Sequence, residues 1–274
     1  MFPHRAENII LPRNKEQNTI IMKRHQRAAT AIATIAATAI CATSCITKNE
    51  VNAGGEDPFA DATFCVLGDS YSTFKGAVTP DTNFVWYDSA QVKRGGTDVC
   101  KLEQMWWHIM ADSLGMRLMQ NNAFSGSTVG YHGYDDNKDG QSDDYSDRAF
   151  ITRQPNLVKS DYIFVFGGTN DSWSGAPAGT YDYETFSRDS LYTFRPAMAK
   201  LLRDLKESQP QAKIIVLINS QLRYEISESM QAIADHYGVP YVVLYDIDKH
   251  WGHPTIAGQR AIAEQVVRAL ERTE

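Results

Sequence analysis

Five short apolar runs, each closed by turn residues and separated by segments of helical periodicity, limit this chain to one architecture. The runs are residues 63–67, 117–120, 162–166, 213–218 and 241–245, and the helical segments are 102–114, 191–207, 226–237 and 256–270. In the last segment Ile256, Ala263, Val266, Val267 and Leu270 share one face, with Gln259, Arg260, Glu264 and Arg268 elsewhere. Strand–helix alternation of this kind predicts a five-stranded parallel sheet covered on both faces by helices, a three-layer α/β/α sandwich. Ligands in such folds bind beyond the carboxyl ends of the strands. The residues just after each strand are therefore the ones to read for chemistry.

The first run ends in Gly68-Asp69-Ser70, ahead of a polar segment able to start a helix. A serine at a strand-to-helix corner has its hydroxyl pushed out at the sheet edge beside free backbone N–H groups, which suits a nucleophile. By itself Gly-Asp-Ser is equally an ordinary turn and N-cap. The other strand ends change its meaning. After the second run come Asn121-Asn122-Ala123-Phe124-Ser125-Gly126-Ser127-Thr128, after the third Gly167-Gly168-Thr169-Asn170-Asp171, and after the fifth, just before the last helix, His250-Trp251-Gly252-His253-Pro254. Together they supply a hydroxyl, a glycine N–H, an amide side chain and an imidazole. Acyl transfer needs a nucleophile, a base and oxyanion donors, and that inventory is complete.

In these four blocks, taken in order, the chain resembles the SGNH (GDSL) hydrolase family over about residues 61–272. Gly-Asp-Ser-x-Ser at 68–72 and Gly-Gly-Thr-Asn-Asp at 167–171 are the more specific of the motifs. The resemblance implies a flavodoxin-like fold and a serine esterase that needs no cofactor. It makes Ser70 the nucleophile and His253 the base, with the Ser70 N–H, the Gly126 N–H and the Asn170 side-chain amide as the oxyanion hole. Pro254 then starts the last helix at a position that tolerates proline. The chain departs from the family at one point. The usual last block is Asp-x-x-His, but three residues before His253 stands His250. A neutral histidine does not stabilise imidazolium as a carboxylate does. Three arrangements stay open: Asp248 or Asp246 reaches the ring, a backbone carbonyl orients it and leaves a Ser–His dyad, or the protein is weakly active. Tyr71 and Ser72 read as packing and capping at the helix start, Asp171 as a support for Asn170, and His250 as an exposed loop residue.

Charge and the N-terminal segment bound the setting. Residues 1–44 carry six Lys/Arg against Glu7 and Glu16, so the whole-chain net charge of −6 leaves −10 for residues 45–274. A body this acidic, with no basic run, argues against nucleic acid as a partner. Lys23-Arg24-His25-Gln26-Arg27 followed by the apolar residues 28–40 has the form of an export signal, with Met22 as its expected start. The apolar stretch of 13 residues is too short to span a bilayer. It ends in Ala42-Thr43-Ser44-Cys45, which resembles the lipobox of bacterial lipoproteins and makes Cys45, rather than Cys41, the expected acylation site. An ordinary secretory peptide is the alternative. The expected organisation is a leader to Ser44, a polar tether over 45–60 and a hydrolase-like domain over 61–274, exported to the periplasm or cell surface, with the lipid anchor as its only membrane contact. Cys65 and Cys100 remain, read as two buried thiols, a single bridge being the alternative.

Two long connections, 71–100 with Trp86 and Tyr87 and 171–190 with Trp173, Tyr181 and Tyr183, bring aromatics to the ligand end of the sheet. They form a substrate wall or simply a cover. Asp135, Asn137, Asp139 and Asp143 follow a calcium-loop pattern, with Gly140 at its sixth position. Ser146 stands where the bidentate Glu belongs, next to Asp147, and a solvated acidic turn is the alternative, so no metal is assigned. The expected function is hydrolysis of a small-molecule or glycan ester, with an acyl group on a carbohydrate as the expected substrate and lipid esters and thioesters suiting the same site. The alternative from another class is a glycan-binding lipoprotein with weak or lost catalysis. Oligomeric state is left open.

Overall fold

The computed structural model describes residues 58–272. The leader, Cys41, Cys45 and most of the tether lie outside the described residues. The five predicted runs all form strands: β1 (Thr63–Gly68), β2 (Arg117–Ala123), β3 (Tyr162–Gly167), β4 (Lys213–Ile218) and β5 (Tyr241–Val243). They pair in the order β2-β1-β3-β4-β5, and every pairing is parallel. The three-layer α/β/α sandwich with a flavodoxin-like strand order is therefore present.

Helices are labelled in chain order: α1 (Ser89–Lys93), α2 (Trp106–Leu114), α3 (Phe150–Arg153), α4 (Thr169–Trp173), α5 (Phe194–Ser208), α6 (Tyr224–Tyr237) and α7 (Ile256–Leu270). Alternate strand residues point to opposite faces, and the core divides accordingly. Cys65, Leu67, Ile163, Val165, Ile214 and Val216 pack with Leu201, Leu202 and Leu205 of α5 and with Met230 and Ile233 of α6. Phe64, Val66, Phe164, Phe166, Ile215 and Leu217 pack with Trp106 and Met110 of α2 and with Ile262 and Val266 of α7.

Element bounds differ from the apolar pattern where polar side chains find partners. β2 runs three residues further than its apolar run because Asn121 and Asn122 continue the register opposite Val66 and Leu67. Asn121 Nδ2 donates to the Ser72 carbonyl at 2.9 Å, which gives the buried amide nitrogen a partner, while its Oδ1 is buried without one. β5 ends early, and Asp246 turns the chain into the left-handed region at φ 52°. The helical pattern over 102–114 divides at Met105, whose extended backbone (ψ 140°) separates a 3-10 turn, Leu102–Gln104, from α2. Thr193 likewise separates the 3-10 turn Asp189–Tyr192 from α5.

Cys65 and Cys100 are both free; Cys65 is buried but Cys100 is exposed, which corrects the reading of two buried thiols. Among the described residues no helix is long and apolar enough to cross a membrane.

Candidate active site

Parallel register brings three of the four sequence blocks to one edge. Gly68 at the end of β1 lies opposite Ala123 of β2 and Phe166 of β3, so the loops that leave these strands start side by side. β1 then breaks into the 3-10 turn Ser70–Ser72, capped by Asp69, whose Oδ1 accepts the Tyr71 N–H at 3.0 Å. The turn folds so closely onto the strand that a Cβ on Gly68 would lie 2.7 Å from the Ser72 side chain. Glycine is the residue that permits this corner.

His253 comes from the far side of the chain, on a two-residue hairpin between β6 (Lys249–His250) and β7 (His253–Pro254). Trp251 (φ 48°) and Gly252 (φ 76°) both occupy the left-handed region, as a tight primed hairpin turn requires. That turn aims the Trp251 carbonyl at His253 Nδ1, 3.0 Å away. A carbonyl only accepts, so Nδ1 carries the proton and Nε2 is the free base. Nε2 stands 3.0 Å from Ser70 Oγ, and both residues are buried.

The hairpin is latched to the Ser70 turn. Tyr71 donates its hydroxyl to the Gly252 carbonyl, and Tyr87 donates to the Pro254 carbonyl at 2.8 Å. Gln259 of α7 donates to the Tyr71 carbonyl and the Tyr87 hydroxyl, and accepts from the Trp106 N–H. Tyr71 thus does more than pack: it fixes where the imidazole stands.

The third-member question has a geometric answer. Asp248 Oδ2 accepts the Thr255 hydroxyl at 2.5 Å, and the Asp248 carbonyl accepts the Thr255 N–H at 3.1 Å. This carboxylate supports the cap of α7, and His253 Nδ1 is taken by the Trp251 carbonyl. Asp246 is exposed, in its left-handed turn. The expectation of Asp248 behind the imidazole does not match this geometry: the Asp248 carboxylate faces Thr255, and Nδ1 of the Ser70–His253 pair faces a backbone acceptor. His250, exposed as expected, accepts no role on His253; its Nε2 stands 2.9 Å from the Gly95 carbonyl.

The groups expected as oxyanion donors are supported from two sides. Gly126 sits at φ 84° with open space where a Cβ would be, and neither its N–H nor that of Ser70 has a backbone partner among the described residues. Asn170, at the start of α4, donates Nδ2 to the Ser127 carbonyl at 2.9 Å and accepts the Tyr134 hydroxyl on Oδ1 at 2.8 Å. Those two bonds settle which end of the amide is the donor and leave its second N–H available. Asp171 braces the same loop by accepting the Val129 N–H on both oxygens, at 3.1 and 3.0 Å.

Two groups carry no signal in the sequence, the buried Arg153 and the half-buried Tyr134. Arg153 of α3 donates Nη2 to the Gly68 carbonyl at 3.1 Å and to Ser127 Oγ at 3.0 Å, tying the β1 corner to the Gly126 loop. Tyr134 belongs to the acidic insertion and reaches the site only through the fold. Apolar periodicity carries no signal for either.

Burial shapes the electrostatics. It pushes the His253 imidazole down to about 4; the Trp251 carbonyl opposes this and the Lys249 charge adds to it. Burial also raises Asp69 and Asp171 to about 7, and lowers Arg153 to about 9 and Lys249 to about 8.

The acidic loop is a hairpin tip. Asp135 accepts the Asp139 and Gly140 N–H groups, Asp139 the Gln141 N–H, and Asp143 the Asp136 N–H and the Asn137 amide. Among the described residues no cluster of three His, Cys, Asp or Glu side chains is placed to hold a metal ion.

The sequence profile described as GDSL-like Lipase/Acylhydrolase matches residues 62–270. A crystal structure from Bacteroides uniformis, described as a GDSL-like lipase, is 45% identical, with a TM-score of 0.73, over 77% of this chain and 96% of its own. One from Bacteroides ovatus, described in the same way, is 43% identical, with a TM-score of 0.72, over 78% of this chain and 100% of its own. A carbohydrate esterase shares the fold at 18% identity and a TM-score of 0.54, over 78% of this chain and 70% of its own. No curated protein matches the chain.

Proposed function

For this chain, which belongs to the GDSL-like lipase/acylhydrolase family and is an ester-bond hydrolase, we propose a Ser70–His253 dyad that removes acyl groups from carbohydrate. The observation that carries the chemistry is the 3.0 Å contact from Ser70 Oγ to His253 Nε2, with Nδ1 held by the Trp251 carbonyl. Ser70 Oγ attacks the ester carbonyl carbon as its proton passes to His253 Nε2. The resulting oxyanion accepts hydrogen bonds from the Ser70 and Gly126 N–H groups and from the free Asn170 N–H; each such donor is worth about two to three orders of magnitude in rate. His253 returns the proton to the leaving alkoxide, and an acyl-Ser70 ester remains. Water then gives its proton to His253 and attacks that ester, and the carboxylic acid leaves as Ser70 regains its proton.

The substrate class rests on the rim. Trp173 meets the His253 ring edge-on, Trp251 stacks on His250 in the same hairpin, and Phe84 packs on Phe124 beside the Gly126 loop; all three of Trp251, Trp173 and Phe84 are exposed. Flat exposed aromatic faces around an ester site suit the apolar faces of sugar rings better than an acyl tunnel does. The basic and apolar leader and Cys45 extend the proposal to an exported lipoprotein that meets glycans outside the cytoplasm.

The test is covalent labelling by a fluorophosphonate, followed by hydrolysis of acetylated oligosaccharides, long-chain lipid esters and acyl thioesters. Labelling that is lost in Ser70→Ala, with acetylated sugar the preferred substrate, is expected. Glycan binding without labelling or turnover would instead make the protein a binding module. A preference for lipid esters or thioesters would overturn the substrate class alone.

A further inference from the structure

The dyad leaves one requirement unmet. His253 becomes a cation in both half-reactions, yet its Nδ1 faces a neutral carbonyl, and the charge that bears on it is the like-charged Lys249. What the ring does have is Trp86. The indole lies flat against the imidazole, with centroids 3.6 Å apart and planes within 7°. Trp173 meets the ring edge-on at 5.8 Å, and Tyr71 at a tilt at 5.6 Å.

The geometry of that stack is informative. Two neutral aromatic rings prefer an offset or edge-to-face arrangement with centroids about 4.5–7 Å apart, because their quadrupoles repel face to face. A cationic ring over an indole face is attracted by the same quadrupole, and tryptophan is the best of the aromatic partners. Near-complete overlap suits the imidazolium form better than the neutral one.

The stack is also built in. The Trp86 N–H donates to Thr73 Oγ1 at 2.8 Å, and that hydroxyl donates to the Ser70 carbonyl at 3.0 Å. Its neighbour Tyr87 is bonded to Pro254, the neighbour of His253. Residue 86 is thus tied to the nucleophile turn, and the 86–87 segment to the histidine turn.

We propose that Trp86 takes the place of the missing triad carboxylate, holding the plane of the His253 ring and stabilising its imidazolium form through the π face of the indole. Trp86 acts through His253 and is a positioning residue. The assignment rests on the Ser70–His253 esterase reading.

The test keeps the shape of the side chain and weakens only its π face. In the full-length protein Trp86 is replaced, at that codon alone, by tryptophan carrying one to four ring fluorines, and kcat and KM are measured on p-nitrophenyl acetate. The expected result is a stepwise fall in kcat, log-linear in fluorine number and about tenfold across the series, the size of one desolvated cation–π contact. KM stays within about twofold, since fluorination leaves the shape of the side chain nearly unchanged, and the rate of fluorophosphonate inactivation falls in parallel. A series flat in kcat would overturn the proposal and leave Trp86 as packing. A rate that rises with fluorination would also overturn it, pointing to the buried, unpartnered indole Nε1 as a donor that fluorine makes more acidic. Unmodified protein that neither turns over the ester nor takes up the fluorophosphonate would overturn the esterase reading beneath it.

Discussion

Asp248→Asn separates a carboxylate triad from a carbonyl-supported dyad. Where a carboxylate holds the catalytic imidazole, the isosteric amide costs about four orders of magnitude in kcat, because it favours the wrong tautomer. Here Asp248 is exposed, and its Oδ2 accepts the Thr255 hydroxyl, which in turn accepts the Gly258 N–H at the start of α7. An asparagine keeps an oxygen for Thr255 and loses only the charge on that bond, about 1 kcal/mol of stability. For a domain of this size that lowers Tm by about 2–4 °C. The expected kcat/KM on p-nitrophenyl acetate is within about threefold of the unaltered protein, since the Trp251 carbonyl still holds Nδ1. His253→Ala, measured beside it, falls by at least about three orders of magnitude. A loss of a hundredfold or more in Asp248→Asn, with Tm unchanged, would refute the reasoning and return the carboxylate to the ring.

The acid limb of kcat/KM should lie near pH 4 rather than near the ordinary imidazole value. Burial lowers His253 to about 4, and the base must be unprotonated, so activity is lost as pH falls through that value; a limb near 6.5 would show that the free enzyme leaves the ring in water. Tyr134→Phe removes the bond to Asn170 Oδ1 while Nδ2 keeps Ser127, so kcat should fall about three- to tenfold with KM steady, against about a hundredfold or more for Asn170→Ala. Steady-state kinetics showing unchanged kcat would remove Tyr134 from the support of the oxyanion hole. Gly258→Ala places a Cβ 2.1 Å from the Asp248 carbonyl and 3.1 Å from Pro254, on the chain that carries His253. It should cost about 1–3 kcal/mol in thermal melts and lower kcat as well; an unchanged Tm would show that the contact relaxes freely.

The fold, and which residues the structure gathers at the carboxyl edge of the sheet, could be read directly from the chain. Strand–helix alternation specifies the parallel sheet because every strand buried on both faces must be apolar throughout, and the chemistry of a parallel sheet collects at its carboxyl edge. Ser70, Gly126, Asn170 and His253 were legible because each follows a strand or precedes the last helix at that edge, and the strand registers set the first three blocks next to one another. What holds those residues in place was not legible. Asp248 looked like the missing acid because it carries the right group near the right place in sequence. The left-handed pair Trp251 and Gly252 turns a carbonyl to His253 instead, and backbone direction leaves no trace in residue type. Arg153, Tyr134 and Trp86 reach the site from segments with no strand-end motif, through hydrogen bonds and ring contacts spanning 36 residues or more for Tyr134 and 85 for Arg153. Periodicity reports which face of an element is buried, a local property of the chain. Which side chain closes over which partner depends on how distant loops fold onto the sheet, and only the tertiary structure decides that.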